Sequence, residues 1–208
     1  MMATLDPKCR LYLKLPPILS REVIAAFEQT ITSADVACVL LAQSDTPPDL
    51  AQASEMLRRT QDRSIAFLVE NDSELALILG ADGLHLTDAE ESTFSQARAR
   101  LGNAAILGVS CGENRHAAMT LAEMGADYIA FGGAPLAGEL RAELIAWWSE
   151  IFQVPCVALD VEDAEAAAQL AKLHADFVVP SESLWLTDNA AQKFMEIAAS
   201  ITHARSAA

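Results

Sequence analysis

Cations are what this chain is shortest of. Its 208 residues hold 14 Lys and Arg against 29 Asp and Glu, a formal net charge of −15. A field of that sign repels nucleic acid and anionic membrane, which are bound mainly through Lys and Arg. No basic stripe offsets it, so neither is expected as a partner. No apolar run approaches the roughly 20 residues that cross a bilayer. Residues 1–14 mix charge with apolar groups, and Leu11-Tyr12-Leu13 is too short for a signal core. The expected compartment is the cytoplasm. Cysteine is sparse as well. Cys9, Cys38, Cys111 and Cys156 form no CxxC pair, and no His stands at metal-finger spacing. Cys38 and Cys156 fall in apolar runs, so buried, reduced thiols are expected. Linkers and low-complexity tracts are missing too, which leaves one domain over 1–208 with a frayed tail at 204–208.

What is present is alternation. Short apolar runs at 11–15, 36–41, 65–69, 83–86, 105–109, 128–131, 154–159 and 176–179 read as strands. Helical patterns follow near 21–30, 49–59, 73–79, 93–101, 115–124, 139–151, 162–173 and 189–201. Strands apolar throughout belong in a parallel sheet covered on both faces. Eight such units predict closure into a single-domain (β/α)8 TIM barrel. An open doubly wound sheet is the competing reading, but it carries a Gly-rich phosphate turn after its first strand. That turn here reads Lys14-Leu15-Pro16-Pro17-Ile18. Gly80-Ala81-Asp82-Gly83 and Gly125-Ala126-Asp127-Tyr128 repeat one design, and His174-Ala175-Asp176-Phe177 is a third copy without the glycine.

In such a barrel the site is built by the loops that follow the strands. After strand 3, Glu70-Asn71-Asp72 offers oxygens to Mg²⁺, although Asp72 or Ser73 equally suits a helix cap. After strand 4, Asp88 and Glu90 could complete a metal set with Asn71 and Asp72, while His85 reads better as a satisfied histidine inside the barrel. After strand 5, Ser110 and Cys111 are candidates for anion or ligand contact. A nucleophile pair of either with His116 lacks an orienting acid. After strand 6, Gly132 and Gly133 allow close approach to the backbone, and the loop has no Lys. After strands 7 and 8, where phosphate-binding barrels form a glycine-rich cup, stand Asp160-Val161-Glu162-Asp163 and Ser181-Glu182-Ser183. Like charges 4 Å apart cost about 4 kcal/mol at an effective dielectric of 20. Unless those acids point to water, a phosphate is disfavoured there.

The stretch FLVENDSELALILGADGLHLTDAE and, after it, AILGVSCGENRHAAMTLAEMGADYIAFGG resemble the thiamine-phosphate synthase and TenI superfamily; Leu11-Tyr12-Leu13 resembles its first strand. The resemblance implies a (β/α)8 barrel. It also implies a Mg²⁺-assisted reaction in which a hydroxymethylpyrimidine diphosphate loses pyrophosphate and is captured by a thiazole phosphate. Carried over by position, the family's Asn-Asp pair falls on Glu70 and Asn71, or with a one-residue slip on Asn71 and Asp72. Its Gly-Gln-x-Asp falls on Thr87, Asp88, Ala89 and Glu90, which makes Glu90 the metal acid. Its Gly-x-Ser is kept as Gly108, Val109 and Ser110, with Gly112 where a His usually follows. The resemblance thus implies Asn71, Glu90 and Ser110 as catalytic residues, Asn71, Asp72 and Glu90 around Mg²⁺, and His85, Asp88, Cys111, Gly132, Gly133 and Ser181 around the ligand. The family's basic motif after strand 2 falls in 36–42, which has no basic residue, its Lys after strand 6 is lost within 137–140, and its Gly-Gly-Ile falls on Asp160, Val161 and Glu162.

Losing those cations together removes charge stabilisation from the departing pyrophosphate. Three readings follow: a divergent synthase, a non-catalytic or repurposed barrel that binds a small heterocyclic ligand or a partner, and a TenI-like thiazole isomerase. Trp147-Trp148 marks a candidate homo-oligomer interface, against the simpler expectation that one of them packs on the barrel wall.

Overall fold

In the computed structural model the chain is described at residues 9–46, 48–88, 90–133 and 138–206. Strands β1 (Arg10–Leu15), β2 (Val36–Leu41), β3 (Ala66–Glu70), β4 (Gly83–Leu86), β5 (Ile106–Gly112), β6 (Tyr128–Gly132), β7 (Cys156–Val161) and β8 (Phe177–Pro180) form one closed parallel barrel, β8 pairing back to β1. Helices α1 (Arg21–Ser33), α2 (Leu50–Gln61), α3 (Ser73–Leu79), α4 (Glu91–Leu101), α5 (Arg115–Glu123), α6 (Gly138–Ile151), α7 (Ala164–Lys172) and α8 (Ala190–Ser206) follow the strands in turn. A 3₁₀ turn (Glu182–Leu186) precedes α8. This is the expected (β/α)8 barrel.

Several boundaries differ from the sequence reading, and the differences matter. β3 runs on to Glu70, β5 through Ser110 and Cys111 to Gly112, and β7 through Asp160 to Val161. Residues read as loop are therefore held by the sheet. α8 continues to Ser206, and Ala204 is buried.

The repeated Ala-Asp turns have one cause. Asp82, Asp127 and Asp176 each accept, through a carboxylate oxygen, the N–H at the start of the preceding strand: Phe67 at 2.8 Å, Leu107 at 2.8 Å and Cys156 at 2.9 Å. Their own backbone N–H groups return to the carbonyls of the same residues. Gly80 and Gly125 precede them in a left-handed conformation, and His174 takes it in the third copy at φ +65°.

Strand parity sorts the core into two layers. Leu11, Leu13 and Leu15 pack outward against the helices, while Tyr12 points inward with Cys38, Leu40, Leu68, Tyr128, Ala130, Val157 and Val179. Gly108 faces Tyr128 across the β5–β6 ladder, and a Cβ there would lie 1.9 Å from the tyrosine ring. Only glycine admits that ring to the barrel interior. Trp148 is fully buried, and Trp147 is half-buried among Phe131, Trp148 and Phe152, with the Arg115 guanidinium 4.6 Å from its ring centroid. The pair packs on the barrel wall and does not form an exposed aromatic patch.

Candidate functional site

The inward parity that places Tyr12 in the core places the next inward residue of each strand at the barrel mouth. These residues line a cavity of about 550 Å³ at the carboxyl end: Lys14 from β1, Leu40 from β2, Glu70 from β3, His85 from β4, Ser110 from β5, Gly132 from β6, Leu159 from β7, and Ser181 and Glu182 after β8.

Its floor is a buried polar chain. The Ser110 hydroxyl lies 2.8 Å from His85 Nε2, His85 Nδ1 lies 2.7 Å from the Tyr128 hydroxyl, and that hydroxyl lies 2.9 Å from the Tyr12 hydroxyl. Burial, and after it the charge of Lys14, lowers the His85 pKa to about 3. The imidazole is thus neutral at physiological pH: one ring nitrogen donates and the other accepts. Burial likewise raises both tyrosine hydroxyls well above their ordinary value. The chain positions Ser110, but a base this weak gives the hydroxyl little activation. His85 is the satisfied interior histidine expected, and it is His85, not His116, that partners Ser110.

The wall carries charge. Lys14 Nζ lies 2.9 Å from Glu70 Oε1 and 2.8 Å from Glu182 Oε1. Glu70 is 6% exposed, and its second oxygen accepts the Gln43 N–H at 2.9 Å. Burial alone would lower the Lys14 pKa, but hydrogen bonds to Glu182 and Glu70 outweigh it, and the net shift is upward. Sequence reasoning missed Lys14, Gln43 and the two tyrosines. The signal for Lys14 was its position two residues after Tyr12 in a strand whose odd-numbered positions are leucine.

The proposed metal set is dispersed. Asn71, in a left-handed conformation at φ +56°, donates its amide to Gln43 Oε1 and Thr87 Oγ1, each at 2.8 Å, and accepts the Thr87 N–H at 2.9 Å. It ties three loops together. Asp72 caps α3, accepting from Glu74 and Leu75, as the competing reading held. Asp88 and Glu90 are exposed and line an adjoining groove of about 630 Å³ with Asn114 and His116, and Thr87, Ser110 and Gly112 line both that groove and the mouth. Among the described residues no three His, Cys, Asp or Glu side chains gather as a metal site. Asn71 is committed to Gln43 and Thr87, while Asp72 caps α3 through Oδ1 only, so the set is not assembled around one point as placed. Ala89 and residues 134–137, which the loop expectations also touched, lie outside the described residues.

The ligand candidates divide as well. Gly132 and Gly133, at φ +106° and +97°, border the mouth together with Ser181, whose hydroxyl lies 3.0 Å from that of Ser183. Cys111 packs with the outward core of β5, because it alternates with inward Ser110, and it lines the adjoining groove, not the mouth cavity. All four cysteines are buried thiols, and burial raises the pKa of Cys111 and Cys156 to about 12. The cup after β7 and β8 is partly spent. Asp163 accepts the Ala166 N–H, and the Ser181 N–H goes to the Val161 carbonyl. Buried Arg141 on α6 donates to the Leu159 and Asp160 carbonyls and pairs with Glu162, behind the cup.

Fold and site together define a (β/α)8 barrel with a small polar cavity at the carboxyl ends of its strands. The family described as thiamine monophosphate synthase matches residues 11–184, and the chain belongs to that family. The thiamine-phosphate synthase of Rhodospirillum centenum is 37% identical over 186 residues, covering 85% of this chain and 89% of the relative. That of Hyphomonas neptunium is 34% identical over 195 residues, covering 86% and 87%. A thiamine phosphate pyrophosphorylase from Pyrococcus furiosus superposes with a TM-score of 0.77 at 18% identity, covering 97% of this chain and 99% of that one, a likeness of fold.

Proposed function

We propose that this family member binds a small uncharged or cationic heteroaromatic in the barrel mouth, within the cytoplasm, and does not carry out the pyrophosphate-releasing coupling. The observation that carries this reading is the state of Lys14. Among the described residues it is the one cation lining the mouth, and it is held between Glu70 and Glu182. With Asp160 the lining holds three carboxylates and that ammonium, a formal charge of −2 from 1 − 3. A diphosphate entering meets net repulsion, whereas a ring nitrogen or hydroxyl finds Ser110 on the floor. Burial of the ring supplies about 25 cal/mol per Å² of apolar surface, and floor hydrogen bonds orient it.

A second reading keeps the coupling itself. It is favoured by relatives at 34–37% identity that bear the synthase name. One experiment separates the two: calorimetric titration with hydroxymethylpyrimidine, its diphosphate and the thiazole phosphate, with and without Mg²⁺, alongside an assay for released pyrophosphate. The expected outcome is binding of the unphosphorylated ring in preference to its diphosphate, with no turnover. Pyrophosphate release on mixing both phosphorylated substrates, abolished by Ser110→Ala, would establish the synthase reading instead.

A further inference from the structure

We propose that the Lys14 ammonium is the resident cation of the barrel mouth, filling the gap between Glu70 and Glu182 that would otherwise admit a divalent metal ion. The inference rests on the reading of the mouth as a ligand site that works without metal, and it gives that reading a structural cause.

The charges come from three separate places: Lys14 from the end of β1, Glu70 from the end of β3, and Glu182 from the 3₁₀ turn after β8. Two carboxylate oxygens therefore converge on one nitrogen at 2.9 and 2.8 Å. A hard cation of the Ca²⁺ or Mn²⁺ kind takes oxygen ligands at roughly 2.0–2.6 Å, so a few tenths of an ångström of closure would turn this point into a metal position. Glu70 is fixed for that role, being buried and anchored through its other oxygen by the Gln43 N–H. A buried carboxylate requires a positive partner. Here the partner is covalently tethered, so a free ion must displace a neighbour at high effective concentration. It must also shed its own water, which Mg²⁺ does reluctantly.

The test titrates Mn²⁺ alone into the full chain, with no pyrimidine or thiazole present, and counts bound ions by electron paramagnetic resonance. Wild type should bind none at the mouth. Lys14→Met should gain one site, at least about tenfold tighter than any site of the parent. Lys14→Met combined with Glu70→Gln should lose it again. Equal binding by wild type and Lys14→Met, or no gain in Lys14→Met, overturns the inference. If the methionine variant does not fold, Lys14→Gln takes its place. ¹⁵N-detected NMR of the wild-type ammonium gives an independent reading: Lys14 should hold its shift as Mg²⁺ is added, and displacement of that signal also overturns the inference. Failure of heterocycle binding with these metal results intact sinks only the proposed function; absence of the gained site sinks only this inference.

Discussion

The two ends of the barrel are built on opposite plans. At the amino end one device recurs: Asp82, Asp127 and Asp176 each clamp the start of the preceding strand, after a left-handed Gly80, Gly125 or His174. At the carboxyl end Asp49, Asp72, Asn114 and Asp163 each cap the helix that follows, but the residues that line the mouth differ from loop to loop among the described residues. Left-handed Asn71 ties three loops, Gly132 and Gly133 open the wall, and Lys14 pins Glu70 to Glu182. Repetition marks the end that holds the barrel together. Irregularity marks the end that has been fitted to something, as expected where strand ends carry the site and the opposite face carries stability.

The comparison breaks most sharply at Gly108, which belongs to both ends. Its missing Cβ admits the Tyr128 ring, and that ring supports the His85–Ser110 floor. Gly108→Ala should cost about 3 kcal/mol by overpacking and also dislodge the floor. Urea denaturation would register the stability loss, and the His85 ring signals would move. A variant as stable as the parent with an unmoved His85 would mean the interior is looser than its distances imply. Asp82→Ala should cost less, about 1.5–3 kcal/mol, because it removes a charge-assisted hydrogen bond to the Phe67 N–H. It should leave His85 and Lys14 signals where they were, since the clamp acts at the far end. Movement of the mouth resonances in that variant would show that the two ends are coupled.

This division also explains what the sequence could disclose. The amino end was legible: three copies of Ala-Asp at successive units announced the same turn, and the apolar strands announced closure. The mouth was legible only in part. Ser110, Gly132, Gly133 and Ser181, read as strand-end residues, line the mouth cavity, and so does His85, which carries both an interior and a ligand-binding reading. Lys14 is masked in the sequence because Pro16 and Pro17 give its segment the pattern of a turn, whereas strand parity makes it the inward residue after Tyr12. Glu70 was weighed as a loop oxygen, whereas one more residue of β3 makes it the buried wall of the cavity. The metal set of Asn71, Asp72 and Glu90 rests on two strand-end loops and on the family motifs carried over by position; Asp72 turns to cap α3, while Glu90 lines the groove that adjoins the mouth.

The smallest expected effect sharpens the comparison by pH alone. The folded-state pKa of His85 is lowered from 6.5 to about 3, so between those values the unfolded chain binds a proton that the native chain refuses. Stability contributed by the neutral imidazole is therefore present above about pH 6.5 and drains away as pH falls towards 3. Between pH 6.5 and 5.5 the loss from this one group should be about 1 kcal/mol, the integral of a single-proton linkage. Measuring unfolding free energy at both values for wild type and His85→Asn isolates it, because the variant keeps every other titrating group and lacks this one. Direct NMR titration adds the site-specific half of the test: the His85 ring should hold one set of shifts down to pH 5. Were it to titrate near 6.5, water would have to reach the floor of the mouth, the imidazolium would be tolerated beside Lys14, and Ser110 would regain a base of useful strength. The irregular end would then be a chemically active pocket, and the case against turnover would lose its second support.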